Sequence, residues 1–201
     1  MRFLLACLTI PALALAGCSQ SASPDKAPAT ATNHTSDSDM PMMSDSDTSD
    51  PVKSAMSAAP SSVAKDATVM GFDDKGGMTT LRKGSNGWTC MPDTPMTPGQ
   101  DPMCVDEGGM AWVTAWATHK DPPKGTLGFG YMLRGGSDAS NDDPFATKPP
   151  AGKDWVTTGP HVMVFNYGKN FAGYPTNADN TKAPYVMFPE TPYAHLMVPV
   201  K

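Results

Sequence analysis

Positive charge is scarce in this chain. Its 15 Lys and Arg residues are outnumbered by 20 Asp and Glu residues, which gives a formal net charge of −5 at pH 7. Proteins bind nucleic acids and anionic lipid surfaces mainly through clustered Lys and Arg side chains. The composition therefore argues against nucleic acid, or an anionic lipid surface, as the main partner.

Familiar catalytic motifs are missing as well. The sequence has no G-x-S-x-G nucleophile motif, no P-loop and no H-E-x-x-H zinc motif. These absences do not exclude catalysis, but they make a binding or structural module the primary interpretation.

Apolar runs are short, and the most prominent one lies at the N-terminus. The stretch at 3–15 is interrupted by Pro11, and it is shorter than the ~20 residues that a membrane-spanning helix needs. Arg2 precedes this stretch, and the small residues Ala16 and Gly17 follow it. Residues 1–17 therefore have the three parts of a secretory signal peptide.

The signal ends in Leu15-Ala16-Gly17-Cys18, which resembles the lipobox of bacterial lipoproteins. The resemblance implies that the chain is cut before Cys18 and that this cysteine carries acyl chains such as palmitate, enough for stable anchoring in a membrane. Ser19, in place of Asp after the cysteine, favours the outer membrane under the same resemblance. We expect a lipid-anchored cell-envelope protein that faces the periplasm; an ordinary signal peptide without lipid is the alternative.

Cysteine is also rare, with four residues in the chain. Cys7 leaves with the signal peptide and Cys18 is the lipid site, so Cys90 and Cys104 remain in the exported domain. Two such cysteines most simply form one disulfide, which would stabilise the fold by roughly 3 kcal/mol for a loop of about 15 residues. A metal-binding or redox pair is the alternative, although the spacing is unlike C-x-x-C.

The segment 18–62 contains no aromatic residue and consists mostly of Ser, Ala, Thr, Asp and Pro. It cannot bury enough apolar surface to offset its ordering entropy, so we expect a disordered tether with a reach on the order of 35–40 Å. A patch between His34 and Met43 combines His, Asp and Met, which suit soft metals. A solvated linker is the favoured interpretation of that patch.

Residues 63–201 have the patterns of a folded domain. Several short segments alternate large and small side chains or are rich in β-branched and aromatic residues, which is typical of strands. We predict an α+β, mostly β domain with an antiparallel sheet and one main helix. The predicted strands cover residues 67–72, 79–83, 88–91, 127–133, 155–158, 161–167, 185–188 and 194–200.

Three local signals refine this prediction. Asn86-Gly87 between two predicted strands indicates a β-hairpin. Asp106 is placed to cap the helix, which a Pro-Pro pair then ends. Gly128 and Gly130, on one face of a strand, indicate a close approach by another backbone or an aromatic ring.

Two copies of a His-x-Met triplet are the strongest candidate for a site. In a strand, residues i and i+2 face the same side. If the two strands are neighbours, the triplets bring together two nitrogen and two sulfur ligands, a set that suits copper in an exported protein. The competing interpretation places the methionines in the core and the histidines at strand edges, since two triplets arise easily in a chain with 15 methionines. The four candidate ligands are His161, Met163, His195 and Met197.

Two weaker candidates remain. One is a small periplasmic enzyme in which His161 or His195 acts as general base beside a carboxylate such as Glu190. The other is a cluster of oxygen ligands for calcium, which a turn that bonds its own backbone explains equally well: Asp138, Asn141, Asp142 and Asp143.

Three segments, 86–93, 159–163 and 191–197, resemble a group of bacterial secreted proteins that has no assigned function. The likeness covers most of the region 63–201. It implies a genuine folded domain there and identifies no site residues. We therefore expect a cell-envelope lipoprotein with a binding or structural domain, with copper as its candidate ligand.

Overall fold

The computed structural model describes residues 49–73, 77–165 and 171–200. The predicted signal peptide at 1–17, the lipid site Cys18 and the tether up to residue 48 lie outside the described residues. Within them the domain is mostly β with few helices, as predicted. The elements in chain order are α1 (Pro51–Met56), α2 (Ser61–Ala64), β1 (Thr68–Phe72), β2 (Met78–Arg82), β3 (Thr89–Met91), β4 (Met103–Val105), α3 (Glu107–Ala117), β5 (Gly128–Met132), β6 (Gly136–Asp138), β7 (Val156–Thr158), β8 (His161–Phe165), β9 (Tyr185–Met187) and β10 (His195–Pro199).

One large sheet organises the domain. Its eight strands lie in the order β2-β1-β3-β4-β5-β8-β10-β9, while β6 and β7 pair with each other as a separate ribbon. The described neighbours in the large sheet are antiparallel except for β1 and β3, which run parallel. Strands β4 and β6 were not predicted, whereas the other eight lie within or close to their predicted ranges.

The predicted hairpin at Asn86-Gly87 is wrong. Strand β1 lies between β2 and β3, so the connecting segment crosses the start of β1 and does not join two neighbours. A Cβ on Gly84 would overlap the backbone of Ala67 and Thr68. Glycine at this position therefore allows the connecting segment to cross close to the start of β1. The crossing is held by hydrogen bonds from Ser85 N to Asp66 O and from Thr68 N to Trp88 O, of 2.8 and 2.9 Å.

Helices α1 and α2 correct the predicted boundary between tether and domain. Helix α1 lies within the segment 18–62 and α2 straddles its end, yet both contribute to a buried cluster with the sheet, so the packed part of the chain begins near residue 50, ahead of the predicted start at 63. Asp50 caps α1 by accepting hydrogen bonds from Val52 N and Lys53 N. Small apolar side chains on these helices allow close contact with β1, β3 and β4. This cluster is formed by Ala55, Ala58, Ala59, Ala64, Ala67, Val69, Cys90 and Cys104.

The predicted disulfide is present between Cys90 and Cys104. The two residues are directly opposite each other on the antiparallel pair β3 and β4, and both are fully buried beneath α1. The bond therefore joins two neighbouring strands at the centre of one face of the sheet.

The predicted helix is α3, which covers the other face. The Asp106 carboxylate caps it by accepting from Gly109 N at 2.8 Å, and it also accepts from Phe129 N of β5 at 3.0 Å. A Cβ on Gly128 would overlap backbone atoms of Gly108 and Gly109, so the predicted close approach at this glycine is confirmed. Across the described ranges, no helix is both long enough and apolar enough to span a membrane.

Candidate metal site

The two His-x-Met triplets lie on neighbouring strands. Strands β8 and β10 pair antiparallel, with Met163 directly opposite Met197. Because side chains alternate along a strand, the histidine and methionine of each triplet share one face of the sheet. The exposed fractions are 0% for His161, 3% for Met163, 3% for His195 and 2% for Met197. The topology therefore brings both triplets into the same buried core.

The register sets the arrangement of the four side chains. Opposite residues on antiparallel strands have Cβ atoms about 4.5–5.5 Å apart, and diagonal neighbours lie within reach of long side chains. Met163 and Met197 form the central pair. His161 lies opposite Pro199 and is therefore diagonal to Met197. By the same register, His195 is diagonal to Met163. Two thioethers lie in the middle, with one imidazole on each side.

Both imidazoles have the same tautomer. His161 Nδ1 lies 2.7 Å from Gly159 O, and His195 Nδ1 lies 3.0 Å from Tyr193 O. A carbonyl oxygen only accepts, so each Nδ1 carries the proton and donates it, which leaves the lone pair on Nε2. Orientation of a histidine by a backbone carbonyl on its other nitrogen is typical of metal ligands. In both triplets that carbonyl lies two residues before the histidine.

Both imidazoles are also neutral at neutral pH. Burial lowers the pKa of His195 to about 4, an effect that the Tyr193 carbonyl opposes and the nearby His161 reinforces. Burial likewise lowers the pKa of His161, with the Gly159 carbonyl acting in the opposite direction. Neutral imidazole is the form that binds a metal, so neither ring has to lose a proton first.

The Nε2 atom of His161 is buried and has no hydrogen-bond partner within the described part of the chain. A buried polar atom without a partner costs about 1–3 kcal/mol, and such atoms are few in native proteins. The competing interpretation, in which the histidines are satisfied polar groups at the strand edges, does not account for this unpartnered nitrogen. A ligand on Nε2 would supply the missing partner.

The surroundings of the triplets are apolar and rich in sulfur. The ring of His195 is enclosed by three aromatic rings, with centroid distances of 5.0 Å to Trp112, 5.3 Å to Phe165 and 5.5 Å to Phe188. Five buried methionines belong to the same core cluster, which makes thioether the commonest donor in this region: Met91, Met132, Met163, Met187 and Met197.

The described residues contain no comparable set of ligands for harder metal ions. Among residues 49–73, 77–165 and 171–200, no group of three His, Cys, Asp or Glu side chains is placed to hold a metal ion. In the predicted calcium cluster, Ser140 Oγ accepts from Asp142 N and Asp143 N, and Asp143 Oδ1 accepts from Phe145 N. These bonds within the segment match the alternative, a polar turn.

The general-base alternative requires one of the histidines to act beside a carboxylate such as Glu190. His161 and His195 are buried in the core, while Glu190 is exposed on a residue with φ of 59°. A groove of about 510 Å³ lies elsewhere, at the start of α3. Its walls contain acidic and aromatic side chains and no histidine: Asn86, Gly87, Trp88, Asp106, Glu107, Gly108, Ala111, Thr126 and Leu127.

Other parts of this site were not evident from the sequence. The carbonyls of Gly159 and Tyr193 orient the histidines, and Trp112 of α3 is one of the three rings around His195. Comparison with known proteins adds no assignment, because no protein-family model, curated protein or solved structure matches the chain. The structure itself places two imidazoles and two thioethers on one buried face of the sheet.

Proposed function

We propose that this protein is a cell-envelope lipoprotein, anchored through a lipid on Cys18 and facing the periplasm, whose domain binds Cu(I) or a similar soft cation. His161, Met163, His195 and Met197 are the proposed ligands. The observation that carries the proposal is the register of β8 and β10, which places Met163 opposite Met197 with both histidines on the same buried face.

The ligand types favour a soft monovalent cation. Thioethers select Cu(I) over harder ions, and imidazole binds copper in either oxidation state. All four ligands are neutral, so a monovalent ion adds less charge to the core than Zn²⁺ or Cu²⁺ would add. Neutral histidines and the open Nε2 of His161 give further support.

Burial of the ligands indicates retention of the metal. Exchange with solvent requires local opening of the core, and such openings occur with free energies up to that of global unfolding. We expect metal exchange to be slow, so that the site sequesters the ion. The lipid would hold the protein near the membrane surface.

The test is a titration of the full-length protein in detergent with Ag(I) against a competing chelator. Ag(I) is soft and monovalent and needs no reductant, so the Cys90–Cys104 disulfide stays intact. The key variant is Met163→Leu/Met197→Leu, because leucine nearly preserves the volume of methionine in a core. Met96→Leu is the matched control, since Met96 is 75% exposed.

We expect one tight site per wild-type chain and in the Met96→Leu control. In the double variant the affinity should fall by more than the roughly 10–100-fold that loss of a supporting partner costs. A His161→Ala/His195→Ala variant should lose the site as well, with circular dichroism reporting whether it still folds. Absence of tight binding by the wild type, or equal binding by the folded Met163→Leu/Met197→Leu variant, would reject the proposal.

A further inference from the structure

A metal ion in this core creates a problem of charge. The four proposed ligands are two neutral imidazoles and two thioethers, so binding of Ag⁺ or Cu⁺ leaves a net positive charge in an apolar region. A buried charge without a partner is costly, and proteins normally pair it. A site of this kind therefore needs an anion nearby that is not itself a ligand.

The ribbon of β6 and β7 places Asp138 at the same corner of the core. Gly136 and Asp138 share one face of β6, and Gly136 pairs with Thr158 of β7. A Cβ on Gly136 would lie 3.5 Å from His161 Cε1. This face of the ribbon therefore lies next to the first of the proposed ligands.

A second connection runs through Tyr185. Thr158 Oγ1 and Tyr185 Oη are 2.6 Å apart, and Tyr185 is directly opposite Met197 on β9 and β10. The charge of Asp138 acts on the Tyr185 hydroxyl, whose pKa is raised to about 12, mainly by burial. Asp138 is therefore linked to two of the proposed ligands, to His161 through the shared face with Gly136 and to Met197 through Tyr185. No hydrogen bond within the described part of the chain joins it to any of the four ligands.

The groups that face Asp138 do not neutralise it. Tyr185 remains a neutral phenol, and Asp101, which accepts from Ser137 N of the same ribbon at 2.7 Å, is acidic. Across the described ranges no Lys, Arg or His forms an ion pair with Asp138. Burial, followed by the charge of Asp101, raises the pKa of Asp138 to about 7. Burial, with Asp93 adding to it, raises the pKa of Asp101 to about 6.

We propose that Asp138 provides the counter-charge of the buried metal ion and gives up its proton when the metal binds. The exchange is balanced: one M⁺ enters, the Asp138 carboxyl becomes carboxylate, and one H⁺ leaves to solvent. The inference rests on the proposed metal site and deepens it, because it makes metal affinity depend on pH through a residue that is not a ligand.

The experiment measures proton release when full-length protein in detergent binds Ag(I) at pH 6 in weak buffer with an indicator dye. We expect about one proton per Ag(I) for the wild type and close to none for Asp138→Asn. Asp142→Asn is the matched control, because Asp142 is an exposed acid four residues further along the chain, and it should behave as the wild type.

Affinity and infrared spectra give two further readouts. If binding releases one proton, the Ag(I) affinity of the wild type should rise about fivefold between pH 6 and pH 7. The affinity of Asp138→Asn should stay nearly constant over this range, and at pH 7 it should be weaker than that of the wild type. In metal-free protein at pH 6, the infrared difference between the wild type and Asp138→Asn, in which the signal of Asp101 cancels, should contain the carbonyl band of a protonated carboxyl. This band should be lost from the wild type on Ag(I) binding.

The outcomes separate the two proposals. If the wild type binds Ag(I) tightly and Asp138→Asn shows the same proton count and pH dependence, the counter-charge role is rejected and the metal site stands. If the infrared band persists in the loaded wild type, the role is rejected in the same way. If the wild type does not bind Ag(I), the metal site and this inference are both rejected.

Discussion

At the scale of single residues, His161 and His195 share one local arrangement, and His161 also has a buried nitrogen without a partner among the described residues. Each ring donates Nδ1–H to the carbonyl two residues earlier. A histidine that only fills the core would have both nitrogens satisfied or one facing solvent, and His161 Nε2 has neither within the described residues. This atom is the strongest single argument against a purely structural role for the triplets.

The buried His195 makes a prediction about acid stability. Its folded-state pKa is about 4, against an ordinary value of 6.5, so its contribution to stability is complete above pH 6.5 and is lost as the pH falls toward 4. The difference corresponds to on the order of 3 kcal/mol. We expect metal-free His195→Gln to lose less stability than the wild type between pH 7.5 and pH 4, as measured by urea unfolding.

His119→Gln is the control for this measurement, because His119 is exposed. Its unfolding free energy should follow the wild-type pH dependence. Parallel curves for His195→Gln and the wild type would show that His195 is not the group that titrates.

At the scale of elements, local patterns in the sequence predicted most of the strands. Strand β5 alternates large side chains with glycine, β8 and β10 are short apolar runs, and α3 has an aspartate at its start and prolines beyond its end. These signals act within a few residues, and local backbone preference is enough to realise them. The disulfide was predictable for a different reason, since only two cysteines remain once the signal and lipid site are assigned.

Elements that depend on distant contacts were missed or misplaced. Helices α1 and α2 look like linker because Ala and Ser are common in tethers, and they are stabilised by the sheet that their alanines cover. The prediction of a hairpin at Asn86-Gly87 was wrong because β1 lies between β2 and β3 and pairs with β3. A local turn signal carries no information about such a pairing. Tertiary pairing overrode the local preference in both cases.

The contact between α3 and β5 makes a prediction at this scale. Because a Cβ on Gly128 would overlap backbone atoms of the helix, Gly128→Ala must push α3 off the sheet. We expect Gly128→Ala to lower the free energy of unfolding by about 1–3 kcal/mol or more, measured by urea denaturation. A Cβ on Gly159 meets no atom within 4 Å, so Gly159→Ala should change stability little. Equal stability of the two variants would contradict the close packing of α3 on β5.

At the scale of the whole molecule, the candidate site is a product of topology. The triplets are far apart in the chain, and each alone is an ordinary stretch of strand. They meet because β8 and β10 are neighbours and because their register puts Met163 opposite Met197; a shift by one residue would turn one triplet to the other face of the sheet. The sequence could therefore identify the four candidate residues, whereas their placement on one buried face of the sheet could be judged only from the fold.

The proposed location of the molecule makes the last prediction. If Cys18 carries the lipid, replacing it by alanine removes the acyl chains that hold the protein in the membrane. When the chain is expressed in a bacterium with an outer membrane, we expect wild-type protein in the membrane fraction, with an acylated cysteine as its first residue by mass spectrometry. Cys18→Ala should leave that fraction.

Cys7→Ala is the matched control, since Cys7 lies in the apolar part of the same signal peptide and should be removed with it. This variant should stay in the membrane fraction and carry the same acylated first residue. A wild-type N-terminus without lipid, or a Cys18→Ala chain that remains bound to the membrane, would contradict the lipoprotein assignment. Either result would leave the metal site untouched, because its four ligands lie in the folded domain and their Ag(I) affinity is measured in detergent, independent of the anchor.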